Sequence, residues 1–520
     1  MPGSSSSWLT EKRGGTLAAL FALITRISHF IGFLAGQRTE LYYWPVLACR
    51  KFESAAMELM RGGPAEGPFT YASPLYRFFL LPFYAAGTGR TGLFVFQSLL
   101  GVLTAWMIFR LALRAGAGTG PALAGAAVWS LYAPAVFFEL TVLPVALLTV
   151  LISLFTLIGT SGMGGKTAAA SLGLTAGLVS GLRPPFILML GVPLWKWLRK
   201  WEWRKLLISL AALLLPLLFL SYQHEKAGGG FYPFPRTAGT NLVLGHSSES
   251  SGYGPPIPSL GLVETGRGDI HEVAARAAAD LGYTTPREAD AYWMRTALAW
   301  MAQNPLEELR LIAVKVGGFF GAGAFDTYYE MGRIRRFNPV FRSFFFVPRL
   351  LLVIIFLAGL VSFCVGGKNR AAILAPVAVA LLSTVVFVHS ERYFLPALPL
   401  MVAAGVSGLT VMFRKAGTAP LRRTAAGTLG LILLLPSLIY PVPEVPEELF
   451  IGSLAVRAYH MEDYDKALEL FERAALLARQ GSIVWVQGHS EAAVIARTLG
   501  YTERAEQHED ILQEAGFLPN

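Results

Sequence analysis

Apolar residues fall along this chain in runs of about 20, the length of helix that crosses the hydrocarbon core of a bilayer. Such runs occupy residues 16–36, 93–113, 119–138, 141–160, 167–183, 184–198, 204–222, 344–366, 370–389, 393–413 and 423–441. The pattern predicts an all-α polytopic membrane protein with about 11 transmembrane helices. The runs 167–183 and 184–198 are short and meet at Arg183-Pro184-Pro185. They read as one broken hairpin beside a cavity, since irregular backbone is tolerated at membrane depth only where protein or water satisfies it.

Two long polar stretches interrupt the runs, at 37–92 and 223–343. In the first, residues 45–62 alternate charged and apolar positions at helical spacing, which predicts a helix lying in the interface plane. "SPLYRFFLLPFYAAG" (Ser73 to Gly87) is too short and too Pro-punctuated to cross, and reads as a second interfacial helix. In the second stretch an amphipathic helix is expected near 286–304. "NLVLGHSSESSGYGPP" (Asn241 to Pro256) is either a phosphate cradle built from backbone N–H groups or a solvated turn.

Beyond residue 441 the pattern becomes that of a soluble helical piece. Tyr464, Ala467, Phe471 and Ala474 have the spacing of the second helix of a tetratricopeptide repeat, and Gly500 and Ala505 partly repeat it. Arrays of such repeats usually need about three units, so this tail is expected to dock on the membrane domain or on a protein partner. The organisation read from the sequence is thus a cytoplasmic tail 1–15, a transmembrane domain 16–441 and a helical repeat tail 442–520.

Charge placement orients the chain, because short cytoplasmic loops are enriched in Lys and Arg. Lys12 and Arg13 precede the first run, Arg110 and Arg114 follow the second, and Lys166 follows the fourth. "WKWLRKWEWRK" follows the sixth, "GGKNR" the eighth and "FRKAGTAPLRR" the tenth. The N-terminus is therefore expected in the cytoplasm. The opposite face receives 37–92, Glu139, Arg183, 223–343, His389 to Arg392, and the tail.

Composition agrees with this reading. Of 520 residues 54% are apolar and only 15% charged, against about 45–50% and about 25% in soluble domains. The net charge of +10 does not indicate nucleic acid, because the basic clusters sit in inter-span loops. The two cysteines, Cys49 and Cys364, are expected near opposite faces and form no disulfide framework or metal-ligand spacing. No Walker loop, dinucleotide fingerprint or zinc motif is present, so no cofactor or metal is implied. The first apolar run has no cleavage site after it and reads as a retained span.

Ionisable groups at membrane depth are costly, and each is a functional candidate. Arg26 and His29 lie in the first run, where a buried pair is the plain alternative. Glu139 ends the third run, either orienting a substrate or capping a helix. Arg183 stands at the helix break and Arg392 begins "RYFLPALP" at the outer end of the tenth run. Two guanidiniums on one face suit a lipid phosphate or diphosphate, since the planar fork binds phosphate oxygens bidentately. General anchoring to lipid headgroups is the alternative.

Several segments together resemble the GT-C class of integral-membrane glycosyltransferases, specifically the family-39-like group related to protein mannosyltransferases and aminoarabinose transferases. The segments are Ala48, Phe52, Ala56 and Gly62, then "SPLY" with Tyr76, then Gln97 in "FVFQSLLGVLTA", then "YAPAVFFELTVLP". "GLRPPFIL", "NLVLGHSSESSGYGPP" with His246 where the family commonly has Asn, and "RYFLPALPLMVAAG" complete the series over about residues 16–415. The resemblance implies a GT-C-like bundle with interfacial helices in the first outer loop, in the bacterial inner (cytoplasmic) membrane of the cell envelope. It further implies inverting transfer of a sugar from a polyprenyl-phosphate-linked donor to a glycan, lipid or protein acceptor at the extracytoplasmic face. A carboxylate in the first outer loop would act as general base, and Arg183, Arg392, Glu139, His246 and Tyr76 would line the donor site. Where the family carries its Asp this chain has Ala48, which leaves Glu40 or Glu53 as the base. A catalytically inactive lipid-binding or envelope scaffold is the alternative, and a transporter is a third. A transporter should show paired broken helices in both halves, and only the break near 183 is visible.

Overall fold

The structure is a computed structural model that describes residues 10–36, 39–45, 48–63, 73–162, 164–228, 230–254, 257–260, 270–326, 329–343, 347–414, 419–440 and 444–517. Among them there is no β-strand, and every apolar run of the sequence contains helix. Five helices are long and apolar enough to cross a membrane: Glu11–Ala35, Gly89–Ala115, Trp203–Lys226, Arg349–Gly366 and Glu391–Arg414. Val145–Gly159, Arg370–Val386 and Gly427–Ile439 are apolar but shorter. The chain is thus an all-α protein with membrane-type helices. The expected break at Arg183 is present: helix Lys166–Leu182 ends there, the 3-10 turn Pro184–Leu190 follows, and helix Gly191–Arg199 comes next. Pro185 cannot donate to a continuing helix.

Within a bilayer, apolar burial does not drive helices together, so close packing of small residues has to. The Lys166–Leu182 helix carries glycines at 173, 177 and 181, four apart on one face. A Cβ at Gly173 would stand 2.0 Å from Ser209 O, and one at Gly177 2.6 Å from Leu213 O, both on the facing Trp203–Lys226 helix. The backbones of these two helices are therefore in direct contact.

Buried charges are paired. Arg26 Nη2 meets Glu139 Oε1 at 2.7 Å and Nε meets Oε2 at 3.1 Å, with both side chains almost fully buried. Arg26 thus finds its partner in Glu139, 113 residues away, and the His29 ring meets the Tyr43 hydroxyl at 3.1 Å.

The polar stretches between the apolar runs are helical where their patterns predict it. Helices Ala48–Met60 and Pro74–Ala85 occupy the first outer stretch, and Pro286–Gln303 the second, with a Thr285/Glu288 capping box at its start. The tail forms two helix pairs, Glu447–His460 with Tyr464–Leu477 and Ile483–Thr498 with Thr502–Glu514. It packs on the first outer stretch: the guanidinium of Arg457, 1% exposed, lies 5.9 Å from the Tyr42 ring and 5.5 Å from the Tyr329 ring. Glu447 pairs with Arg333 at 2.6 Å beside this contact.

Substitution tests the glycine contact. Gly173→Ala pushes its methyl into backbone carbonyl and is expected to cost about 1–3 kcal/mol, as overpacking does. Gly120→Ala, in a helix with open space around it, is expected to leave stability unchanged. Thermal unfolding of both variants in detergent measures the difference.

Candidate functional site

Arg183 and Arg392 come together. The Arg183 guanidinium carbon lies 3.3 Å from the centroid of the Tyr393 ring and that of Arg392 lies 5.1 Å from it. Arg183 is brought there because helix Lys166–Leu182 stops at Pro184, leaving Arg183 in extended backbone at φ −152° and ψ 99°. Among the described residues no carboxylate lies within ion-pair distance of Arg183. Two guanidiniums on one aromatic ring concentrate positive charge, and a planar guanidinium is well shaped for phosphate oxygens.

The position of Arg392 is set by its neighbours. The buried Arg349 guanidinium donates to the carbonyls of Gly318 at 2.8 Å, Phe319 at 2.9 Å and Gly321 at 2.6 Å, at the C-terminal end of helix Pro305–Phe320. A cation there satisfies orphan carbonyls and complements the helix dipole. Its Nε also pairs with Glu391 Oε2 at 3.0 Å, and Glu391 Oε1 accepts from the Tyr132 hydroxyl at 2.5 Å. Backbone bonds from Glu391 N to Phe325 O, 2.6 Å, and from His389 N to Gly252 O, 2.9 Å, complete the clamp.

This clamp brings in Asp326, a residue the sequence reading did not single out. Its Oδ2 accepts from Ser390 Oγ at 2.7 Å, and its Oδ1 lies 3.5 Å from Arg392 Nη1. The Asp326 side chain is fully buried and that of Arg392 is 11% exposed. The sequence signal was weak: one acid after the Gly-rich "GAGAF" (Gly321 to Phe325), with no spacing that links it to Arg392. Tyr393 lay inside a quoted motif but carries no charge to draw attention.

The other predicted residues lie in separate arrangements. Glu53 is buried, its Oε1 and Oε2 bound by Arg90 at 2.7 and 2.8 Å, and it also accepts from the Tyr84 hydroxyl at 2.5 Å. This ion pair ties helix Ala48–Met60 to Pro74–Ala85 and to the start of Gly89–Ala115. The side chain of Glu40 lies outside the described residues. Glu139 is consumed by Arg26, and its carbonyl accepts from Gln97 Nε2 at 3.1 Å. The Tyr76 hydroxyl donates to Gln97 Oε1 at 3.0 Å, so Tyr76 supports that network.

His246 belongs to a buried triad. Nδ1 meets Glu308 Oε2 at 2.7 Å, and Nε2 lies 2.8 Å from Lys315 Nζ and 2.8 Å from Val386 O. Burial and then the Lys315 charge lower the His246 pKa, against the pull of Glu308. The ring is thus held between the Glu308 carboxylate on its Nδ1 side and the Lys315 ammonium and Val386 carbonyl on its Nε2 side. Burial also pushes the Lys315 ammonium down to about 7, with Glu308 opposing. The described part of the Asn241–Pro256 stretch is part helix and part turn. Ala238–Gly245 is helix, and Ser250 Oγ turns inward to donate to Leu244 O at 2.8 Å.

No protein-family model matches the chain, and no curated protein is significantly similar to it.

The triad makes a pH prediction. A free lysine titrates near 10.4, so between about pH 7 and that value the unfolded chain holds a proton that folded Lys315 has released. Stability therefore rises with pH through that window and is unaffected by Lys315 below it. Melting temperature against pH is expected to show this rise in the wild type and to lose it in Lys315→Met.

Proposed function

We propose that this protein is an integral-membrane glycosyltransferase of GT-C-like architecture. It moves a sugar from a polyprenyl-phosphate-linked donor to a glycan, lipid or protein acceptor at the extracytoplasmic face of the bacterial cytoplasmic membrane. In this reading the chain crosses the bilayer eleven times, with the N-terminus in the cytoplasm and the tail outside. The observation that carries it is the convergence of Arg183 and Arg392 on Tyr393 at the ends of apolar helices. A lipid phosphate arrives at that level, and a sugar–phosphate bond becomes easier to break when the leaving phosphate is met by fixed positive charge. The aromatic face adds a surface on which the guanidiniums stay stacked while their N–H groups face the phosphate.

One observation favours the second reading, an inactive lipid-binding or scaffold protein. Glu53, an acid of the first outer stretch, is held by Arg90 and Tyr84. Under that reading the two arginines bind lipid phosphate but no sugar leaves it.

Hydrogen bonds to charged groups contribute about 1.5–3 kcal/mol, so Arg183→Ala or Arg392→Ala is expected to weaken binding of a polyprenyl-phosphate sugar by roughly 10- to 100-fold. Arg183→Lys should recover little, because a lysine lacks the planar fork. Donor binding and sugar release by the purified protein, using polyprenyl-phosphate hexoses and pentoses labelled in the sugar, measure both. Binding without release selects the scaffold reading, and no binding to any donor overturns both. Topology has its own check. In intact cells an impermeant maleimide should label Glu503→Cys in the tail and leave Lys368→Cys unlabelled until the membrane is opened.

A further inference from the structure

Transfer of a sugar to a hydroxyl needs a group that takes the hydroxyl proton, held within hydrogen-bond reach of it. Resting on the glycosyltransferase reading, we infer that Asp326 is this general base, placed by Ser390 and Arg392 beside the two guanidiniums that receive the leaving phosphate.

Three other buried acids, Glu53, Glu139 and Glu391, are committed to scaffolding. Glu53 binds Arg90 through both oxygens, Glu139 binds Arg26 through both, and Glu391 is divided between Arg349 and Tyr132. Each of these pairs joins helices that would otherwise bury an uncompensated charge. Asp326 differs in its partner. It shares Arg392 with the Tyr393 stack, and so is within one side chain of Arg183. The contact to Arg392 is long, at 3.5 Å, while Ser390 holds the other oxygen at 2.7 Å. The carboxylate thus meets both a neutral hydroxyl and the guanidinium that stacks on Tyr393.

Asp326 also stands near the first outer helix. The buried Cys49 thiol is pushed up to about 12 by burial, drawn down by Arg392, and raised again by the charge of Asp326. Cys49 Sγ lies 3.9 Å from the Tyr329 hydroxyl. Cys49 and Tyr329, distant in the chain, thus meet at this point, and the charge of Asp326 is felt there.

The donor phosphate enters between Arg183 and Arg392 and draws the Arg392 fork away from Asp326. The acceptor O–H proton passes to the Asp326 carboxylate as the acceptor oxygen bonds to the anomeric carbon. The bond from that carbon to the phosphate oxygen breaks, and its electron pair leaves with the polyprenyl phosphate. The added negative charge on the phosphate is met by the two guanidiniums. Asp326 then releases its proton to water on the outer face. Arg392 links donor entry to the freeing of the base, which keeps the carboxylate neutralised while the site is empty.

The test uses the full chain, the labelled donor panel, and an envelope extract as the source of acceptor. Asp326→Asn is expected to retain donor binding and to slow transfer by about 10²- to 10⁴-fold, the usual share of a general base. Asp326→Glu should recover part of the rate. Ser390→Ala removes a hydrogen bond to the carboxylate without removing charge, so the acid limb of the pH–rate profile should move to higher pH. That measurement stands even if Asp326→Asn fails to fold. Transfer by Asp326→Asn at the wild-type rate, or an acid limb unmoved by Ser390→Ala, overturns the assignment while leaving the glycosyltransferase reading intact. A wild type that binds donors and never releases sugar overturns both.

Discussion

The arrangement depends on one buried cation. Arg349 has to be compensated on every side, because an unpaired charge in a low-dielectric interior costs far more than a lost hydrogen bond. Its compensation comes from carbonyls at the end of helix Pro305–Phe320 and from Glu391, which also binds Tyr132. These partners belong to three regions far apart in sequence. Satisfying one guanidinium therefore joins the second outer stretch, the third apolar run and the segment that carries Ser390, Arg392 and Tyr393. Ser390, Arg392, Tyr393 and Asp326 lie one or two residues from this junction, so their geometry inherits its rigidity.

The same rule governs the rest of the membrane domain in two forms. Where a charge is buried it is paired, as at Arg26–Glu139. Where helices meet without charge they meet through glycine, as at Gly173 and Gly177 against Ser209 and Leu213. The tail follows a third pattern. Arg457 lies against Tyr42 and Tyr329, so its stem is buried against aromatic faces while ion pairs surround the contact. This attachment makes the tail a covering for the first outer stretch near Cys49 and Tyr329.

Much of the fold was legible because hydropathy and helical period are local properties. Each apolar run contains helix, the break at Arg183 falls where two prolines remove backbone donors, and the helices expected at 45–62 and 73–87 lie close to those bounds. The site was legible in part. Arg183 and Arg392 were visible as isolated cations at helix ends. That they share Tyr393 was not, since 209 residues separate Arg392 from Arg183 and no periodicity spans that distance. Glu53 illustrates the converse. An acid on an amphipathic helix looks available in sequence, yet its place is decided by Arg90, 37 positions on. His246, in a Gly- and Ser-rich stretch that suggests a loop, is buried against Glu308 and Lys315.

By itself, then, the sequence determined the helical class, the positions of the apolar helices, the amphipathic helices between them and the helices of the tail. Each rests on composition and spacing within about 20 residues, the reach over which burial and backbone hydrogen bonding act along one helix. Which charged group faces which was decided only by the tertiary structure. Desolvation makes every buried ion select a partner, and the partner is whichever opposite charge the packing of remote helices brings within about 4 Å. That selection assigned Glu139 to Arg26 and Glu53 to Arg90. It left Asp326 beside Arg392, on the ring that Arg392 shares with Arg183.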